Sequence, residues 1–401
     1  MLTIPRFMDK DDYLQNPIMH RFSSEHNLDV VNNRADFIRI IENFANSSPE
    51  NEEETRKWLL QVAREGSKDF TYKKVFDIPA ECKDATLLDL KLKSLFPDCP
   101  MENVLTYVNT YERKLINYEI ITNENDKVEK IAFTFSQKFL TGDNSTSVED
   151  IVFPVFVDVY VNEGFVFSRA KAKSTLYAFT ESKLLSSDNH VDSLDNAFSA
   201  VYEIIRALGL KTETETKKVK ASNSQLLYRM YQEFSFTPEE VENKVDSVKE
   251  VSNAFIDTIF TELGLKAVNK ETAIKDLAIF VEKFISINGN NENIFKEDRP
   301  AYLIKVGADD AQELTKIDTS SSKKKPLQCT EAFFDSKKSV LNSKACNKVH
   351  LCFKRTEPKY FGKNPICVQF ATKKNYGTFK TAQYAEEADI NNVIQTIFRN
   401  Y

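Results

Sequence analysis

The sequence predicts an α+β protein, and three observations carry that reading. Apolar residues recur at helical spacing through the first hundred residues, alternate from about 115 to 175, and return as short alternating runs after about 290. The expected architecture is a helical N-terminal lobe with an antiparallel sheet (1–210, with a hairpin at 151–179), a central helical segment (211–290) and a basic, aromatic-rich α+β C-terminal domain (291–401).

The elements follow in order. "NNRADFIRIIENFAN" sets Phe37, Ile40, Ile41 and Phe44 on one helical face, with Asn32 or Asn33 as cap. "SSPENEEETRKWLLQVAREG" offers Ser48 before Pro49, acids in the first turn and Gly66 at the end, a complete start and stop. "ATLLDLKLKSLF" reads as a third helix, and "KLINYEII-TNENDK-VEKIAFTFSQKF" as a hairpin with Ile131, Phe133 and Phe135 alternating. In "VFVDVYVNEGFVFSRAKAK" a three-residue turn at Asn162-Glu163-Gly164, with Gly164 left-handed, pairs Val159 with Phe167 and Val157 with Arg169. That register points Asp158 to one side of the sheet and Arg169, Lys171 and Lys173 to the other. The small residues Ser168, Ala170 and Ala172 leave room for the helix "DSLDNAFSAVYEIIRALG", which Gly209 stops.

Further on, Thr237-Pro238-Glu239-Glu240 reads as a capping box. Val241, Val245, Val248, Ser252, Phe255 and Ile259 then form a coiled-coil-like seam, and "NKETAIKDLAIFVEKFISIN" a well-buried helix. The 238–287 stretch is thus a candidate surface for self-association or for a protein partner. "AYLIKVG", "KVHLCFKR", "PICVQFATK" and "GTFKTAQY" read as strands, and "EADINNVIQTIFRN" as a last helix.

Composition narrows the class. With 41% hydrophobic and 28% charged residues among 401, the chain can build real cores and is not a disordered type. No apolar run approaches the roughly 18 residues of a membrane span, and the opening "MLTIPRFMDKDDYLQ" has no apolar stretch of a secretory signal. Six cysteines give no disulfide framework, so the expected setting is cytoplasmic, with mostly reduced thiols and no membrane partner. No Gly-x-Ser-x-Gly, Walker A or other nucleophile motif occurs, and no cofactor is expected.

Charge distribution gives the strongest functional signal. Residues 320–380 carry 14 Lys and Arg against three acids, a surplus of +11 in a chain of net charge −6, so the remainder carries −17. Lys323, Lys324, Lys325, Lys354, Arg355, Lys359, Lys363, Lys373, Lys374 and Lys380 interleave with Phe333, Phe334, Phe353, Tyr360, Phe361, Phe370, Tyr376 and Phe379. Cations suit phosphates and flat rings suit unpaired bases, so DNA or RNA is the expected partner, with Arg169, Lys171 and Lys173 as a second patch. The competing explanation is a solvated lysine exterior over an aromatic core.

Three other constellations merit a check. A metal-dependent nuclease needs an Asp and a Glu near a Lys, and Asp98 with Glu112 and Lys114, or Asp158, are the candidates. Arg21 and His26 have the spacing of some ribonuclease bases. Cys329, Cys346, His350, Cys352 and Cys367 carry zinc-type donors but no Cys-x2-Cys pair. The expectation is a non-catalytic nucleic-acid-binding protein, with a divergent nuclease or a protein-binding scaffold as alternatives.

Overall fold

The computed structural model describes residues 1–10, 13–142, 148–181, 185–288, 292–309, 316–321, 325–356 and 358–401. It is 46% helix and 24% strand with antiparallel sheets, so the class is α+β. The N-terminal helices are α1 (Arg6–Lys10), α2 (Asn16–Glu25), α3 (Arg34–Ala45), α4 (Pro49–Arg64) and α5 (Ala85–Leu95), followed by α6 (Ser193–Leu208) and α7 (Thr216–Phe234). Then come α8 (Glu239–Ser247), α9 (Lys249–Glu262), α10 (Lys270–Asn288), α11 (Glu331–Ser343) and α12 (Glu387–Asn400). The first strands are β1 (Lys68–Asp77), β2 (Lys114–Thr122), β3 (Val128–Ser136), β4 (Lys138–Thr141) and β5 (Glu149–Val152). Next are β6 (Val155–Tyr160), β7 (Phe165–Lys171), β8 (Leu176–Tyr177), β9 (His190–Val191) and β10 (Lys211–Thr212). The last are β11 (Ala301–Asp309), β12 (Lys316–Ser320), β13 (Lys348–Phe353), β14 (Ile366–Thr372) and β15 (Gly377–Thr381).

The chain forms two compact units that are not consecutive in sequence. Unit 1 holds 1–220, 355–366 and 373–394; unit 2 holds 221–354, 367–372 and 395–401.

In unit 1 the strands run β15-β1-β7-β6-β3-β2, with β10 also on β1 and a small sheet β5-β4-β8-β9. One face presents Val155, Val157, Val159, Val166 and Ala170 to Ala197, Val201, Ile204 and Leu208 of α6. Ser168 and Ala170 keep that side of β7 low enough for α6 to pack on it. The opposite face carries Phe156 toward Trp58, Leu59 and Val62 of α4. The caps behave as local chemistry dictates: Asn33 accepts from the Ala35 and Asp36 amides, Ser48 from Asn51, and Asp192 from Leu194 and Asp195.

The central hairpin corrects the expected register. Phe156 lies opposite Arg169 and Asp158 opposite Phe167, one residue away from the three-residue-turn pairing. The reason is the loop: four residues, 161–164, connect the strands, and the Gly164 amide bonds back to the Tyr160 carbonyl at 3.0 Å. Gly164 does take the left-handed conformation (φ +65), and a Cβ there would lie 2.6 Å from the Val75 carbonyl oxygen. Because side chains alternate along a strand, the one-residue slip moves Arg169 and Lys171 to the face of Asp158.

Unit 2 is built on β12-β11-β13-β14 with helices α7 to α11. Three expectations fail here. The Thr237 capping box does not form: α8 starts behind Pro238 with no side-chain cap, and the Thr237 hydroxyl donates to Glu282 Oε1 at 2.8 Å. The seam is broken at Val248, where the backbone leaves helical geometry between α8 and α9. The helix expected to be well buried, α10, buries only Glu282 and Ser286, because it packs on α8, α9 and α11 along one side. No helix among the described residues is long and apolar enough to cross a membrane.

Candidate nucleic-acid interface

The charged centre of unit 1 answers why an apolar strand carries Asp158. Arg64, at the end of α4, donates to both Asp158 carboxylate oxygens at 2.8 Å, and Arg169 donates to Asp158 Oδ2 at 2.9 Å. Arg169 also reaches Glu387, on the first turn of α12, at 2.6 and 3.1 Å. Asp158 and Arg169 are each only 2% exposed. Burial pushes the Asp158 carboxyl up, but the Arg64 and Arg169 charges outweigh it and hold it well below the ordinary range. Glu387 is held low in the same way, chiefly by Arg169 against its burial.

Around this chain sit further buried charges. Glu65 accepts from the Tyr384 hydroxyl at 3.0 Å and from the Glu387 amide at 3.1 Å, and burial raises its carboxyl. Lys68 is fully buried, donates to the Ala63 carbonyl at 2.7 Å and lies 4.2 Å from the Tyr13 ring centre; burial pushes its ammonium well down. These groups are consumed by one another, so the cluster fixes the approach of α4 and α12 to the sheet and exposes no set of reacting groups. Sequence reasoning missed its partners, since Glu387 lies 218 residues from Arg169; the one signal was an aspartate inside an apolar strand.

The predicted cations divide sharply. Arg169 is not a surface cation, which removes it from the expected second patch; Lys171 and Lys173 are half-buried, with Lys171 5.2 Å from the Tyr13 ring centre. Arg355 is 8% exposed and donates to the Phe361 and Tyr384 carbonyls, with Asp389 at 3.3 Å. Lys325 is held by Glu292 at 2.5 Å, and Lys323 and Lys324 lie outside the described residues. Lys380 lies 3.7 Å from Asp69. Lys354 in unit 2, and Lys359, Lys363, Lys373 and Lys374 in unit 1, are exposed, and among the described residues none meets a carboxylate within 4.0 Å.

The aromatic half of the expectation is mostly core. Phe333, Phe334, Phe353, Phe370, Tyr376 and Phe379 are all at most 5% exposed, closed to a stacking base. Tyr360 and Phe361 are the exceptions, both half-buried, and both lie between Lys359 and Lys363 on one loop. That loop is pinned from beneath. Glu386 is 5% exposed and accepts from the Lys359 amide at 2.6 Å and the Tyr360 amide at 2.9 Å, while Arg355 holds the Phe361 carbonyl. Glu386 is itself set by the start of α12, where Asp389 reaches back to the Glu386 amide at 3.0 Å.

No known protein family, curated protein or solved structure matches this chain. The residues alone therefore carry the functional reading.

The metal-centred candidates are not assembled. Cys352 and Cys367 are joined in a disulfide, leaving Cys329 and Cys346 as free thiols that burial pushes up to about 11 and about 12. His350 is lowered to about 4 by burial and by Lys305 and Lys348, and no group of three or more metal donors occurs among the described residues. Glu112 is 82% exposed beside Lys114, and Asp158 belongs to the arginine network. Arg21 pairs with Glu25 at 2.8 Å on α2, and His26 faces Glu54 at 3.6 Å.

Proposed function

We propose that this is a non-catalytic binding protein that contacts DNA or RNA through the sugar-phosphate backbone. The observation that carries the reading is the loop segment 358–365, where exposed Lys359 and Lys363, lacking carboxylate partners among the described residues, flank Tyr360 and Phe361, two half-buried rings that pack only in part on the core. Lys373 and Lys374 lie before β15, whose five residues span about 17 Å at 3.4 Å per residue, and the loop's anchor Tyr384 lies past its other end. A nucleic-acid strand covers that distance, so both lysine pairs can meet phosphates of one ligand.

The test is binding of the full chain to labelled single-stranded DNA, RNA and duplex DNA at two salt concentrations. Four phosphate contacts on a single strand give a log-log salt slope near about −2.8, so affinity drops roughly 50-fold between 50 and 200 mM. Lys359→Glu with Lys363→Glu flattens the slope. Absence of binding at 50 mM, or binding indifferent to salt, overturns the proposal.

A second reading, self-association through 238–287, has its own observation. Val251 (72% exposed) and Phe255 (56%) on α9, and Phe280 (56%) and Phe284 (50%) on α10, form apolar stripes at four-residue spacing. Lys249, Glu250 and Lys275 lie near them in sequence with both signs of charge, which suits a second copy of the same surface, whereas Asp257 and Asp276 are paired with Lys270 and Lys338. A mass that rises with protein concentration and reverts to monomer in Phe255→Ser, Phe284→Ser supports it; a constant monomer mass removes it.

A further inference from the structure

Unit 1 contains a cleft of about 430 Å³ between the loop 355–366 and the chain leaving β15, lined by Gln15, Ser67, Phe361, Asn364, Gln383 and Tyr384 among others. Its size falls within the roughly 300–1,000 Å³ of small-molecule sites. We propose that this cleft is a nucleotide subsite that receives one base together with its phosphate, either as a free nucleotide or as a unit of a single strand. The inference rests on the nucleic-acid reading and gives it a specific place.

The lining suits a planar heterocycle, and the cations for its phosphate stand outside the lining, on the same loop. Gln15, Asn364 and Gln383 bring amide groups to the cleft, and an amide presents donor and acceptor side by side, the pattern that matches the edge of a base. Phe361, half-buried and 4.9 Å from the Tyr384 ring centre, places an aromatic in the wall. Lys359 and Lys363 stand exposed on the same loop for the phosphate.

The scaffold beneath is unusually committed. Two buried charged side chains, Arg355 and Glu386, hold backbone around the cleft: Arg355 donates to the Phe361 carbonyl of the loop and the Tyr384 carbonyl past β15, and Glu386 accepts from the Lys359 and Tyr360 amides of the loop. Burying charges is costly, and here it fixes the conformation of a segment without helix or strand. Holding such a loop in one shape lowers the ordering cost of binding. Gly362 lies in the cleft wall with nothing within 4 Å of an added Cβ and no left-handed φ, so a side chain there enters open space.

That geometry supplies the experiment. The full chain is titrated with a labelled adenine-rich single strand, with AMP and ATP, and with inorganic phosphate. The titrations are repeated for Gly362→Phe, Asn364→Ala and the Lys359→Glu, Lys363→Glu pair, each checked for an unchanged melting temperature. Strand binding that falls at least tenfold in Gly362→Phe and several-fold in Asn364→Ala supports the subsite. Competition by AMP or ATP then assigns a free nucleotide as a ligand, and its failure at millimolar concentration assigns the strand. If Gly362→Phe does not fold, Asn364→Ala carries the same comparison. Strand binding lost in the lysine pair but intact in Gly362→Phe and Asn364→Ala overturns the subsite and leaves the backbone-contact reading standing. Displacement by inorganic phosphate as effective as by AMP also overturns it, and no binding by any probe overturns both.

Discussion

Replacing Asp158 by alanine should be one of the most damaging single changes in unit 1. It strips the buried Arg169 of one of its two carboxylates and leaves Arg64 with no partner for the fork that grips Asp158. Breaking one side of a buried ion pair costs about 3–5 kcal/mol, because the remaining charge stays desolvated. At about 2–4 °C per kcal/mol for a domain of some 250 residues, the unit 1 transition should fall by about 6–20 °C. Asp89→Ala is the control: its i,i+4 pair with Lys93 is exposed and screened by solvent, so its loss should leave the transition nearly where it was. The assay is thermal and urea unfolding of the wild type, Asp158→Ala, Arg169→Met and the double variant. The double variant should lose about 1–3 kcal/mol less than the sum of the singles, since the second substitution removes the charge that the first one stranded. The pH dependence has a definite sign. Asp158 and Glu387 are held below their unfolded values, so their contribution is present at neutral pH and fades as pH falls below about 4; Asp158→Ala should flatten that decline. A shift under about 2 °C for Asp158→Ala, or strictly additive singles, would refute the network as described.

Two further outcomes follow from unit 2. His350 is lowered to about 4, so the unfolded chain binds its proton first as pH drops from about 6.5; unit 2 should lose stability across that window, and His350→Gln should lose less, read by urea midpoints at pH 7 and 4.5. Thiol alkylation of the denatured, unreduced chain should label four cysteines, Cys82, Cys99, Cys329 and Cys346, and six after reduction, as counted by mass spectrometry; six without reduction would remove the Cys352–Cys367 bridge.

What the sequence disclosed was whatever a few neighbouring residues decide. Asn33 and Ser48 cap because a side-chain oxygen reaches an amide two or three residues on, and the 114–136 hairpin forms with Ile131, Phe133 and Phe135 buried, although its register shifts at Leu115/Asn117 and Ile121/Thr122. The register of the next hairpin hung on whether the loop held three residues or four, and that parity alone decides whether Arg169 shares a face with Asp158. The Glu387 partner could not be read locally at all.

The same period-two logic explains part of the candidate interface. Lysines and aromatics interleave along strands because one face turns to solvent and the other to the core: in β15, Phe379 is buried and Lys380 exposed, and no ligand is needed to account for the pattern. That accounts for Lys380 and for the buried Phe353, Phe370 and Phe379 of β13, β14 and β15, while Lys354, Lys363, Lys373 and Lys374 lie outside the strands. The segment 358–365 has no strand to impose alternation and no helix to impose a face. There Lys359, Tyr360, Phe361 and Lys363 remain at least partly accessible while Arg355 and Glu386 are buried to hold their backbone. A loop whose shape is fixed by buried charge, whose lysines are exposed and whose rings are half-buried against the core, is where the proposed contact is best tested.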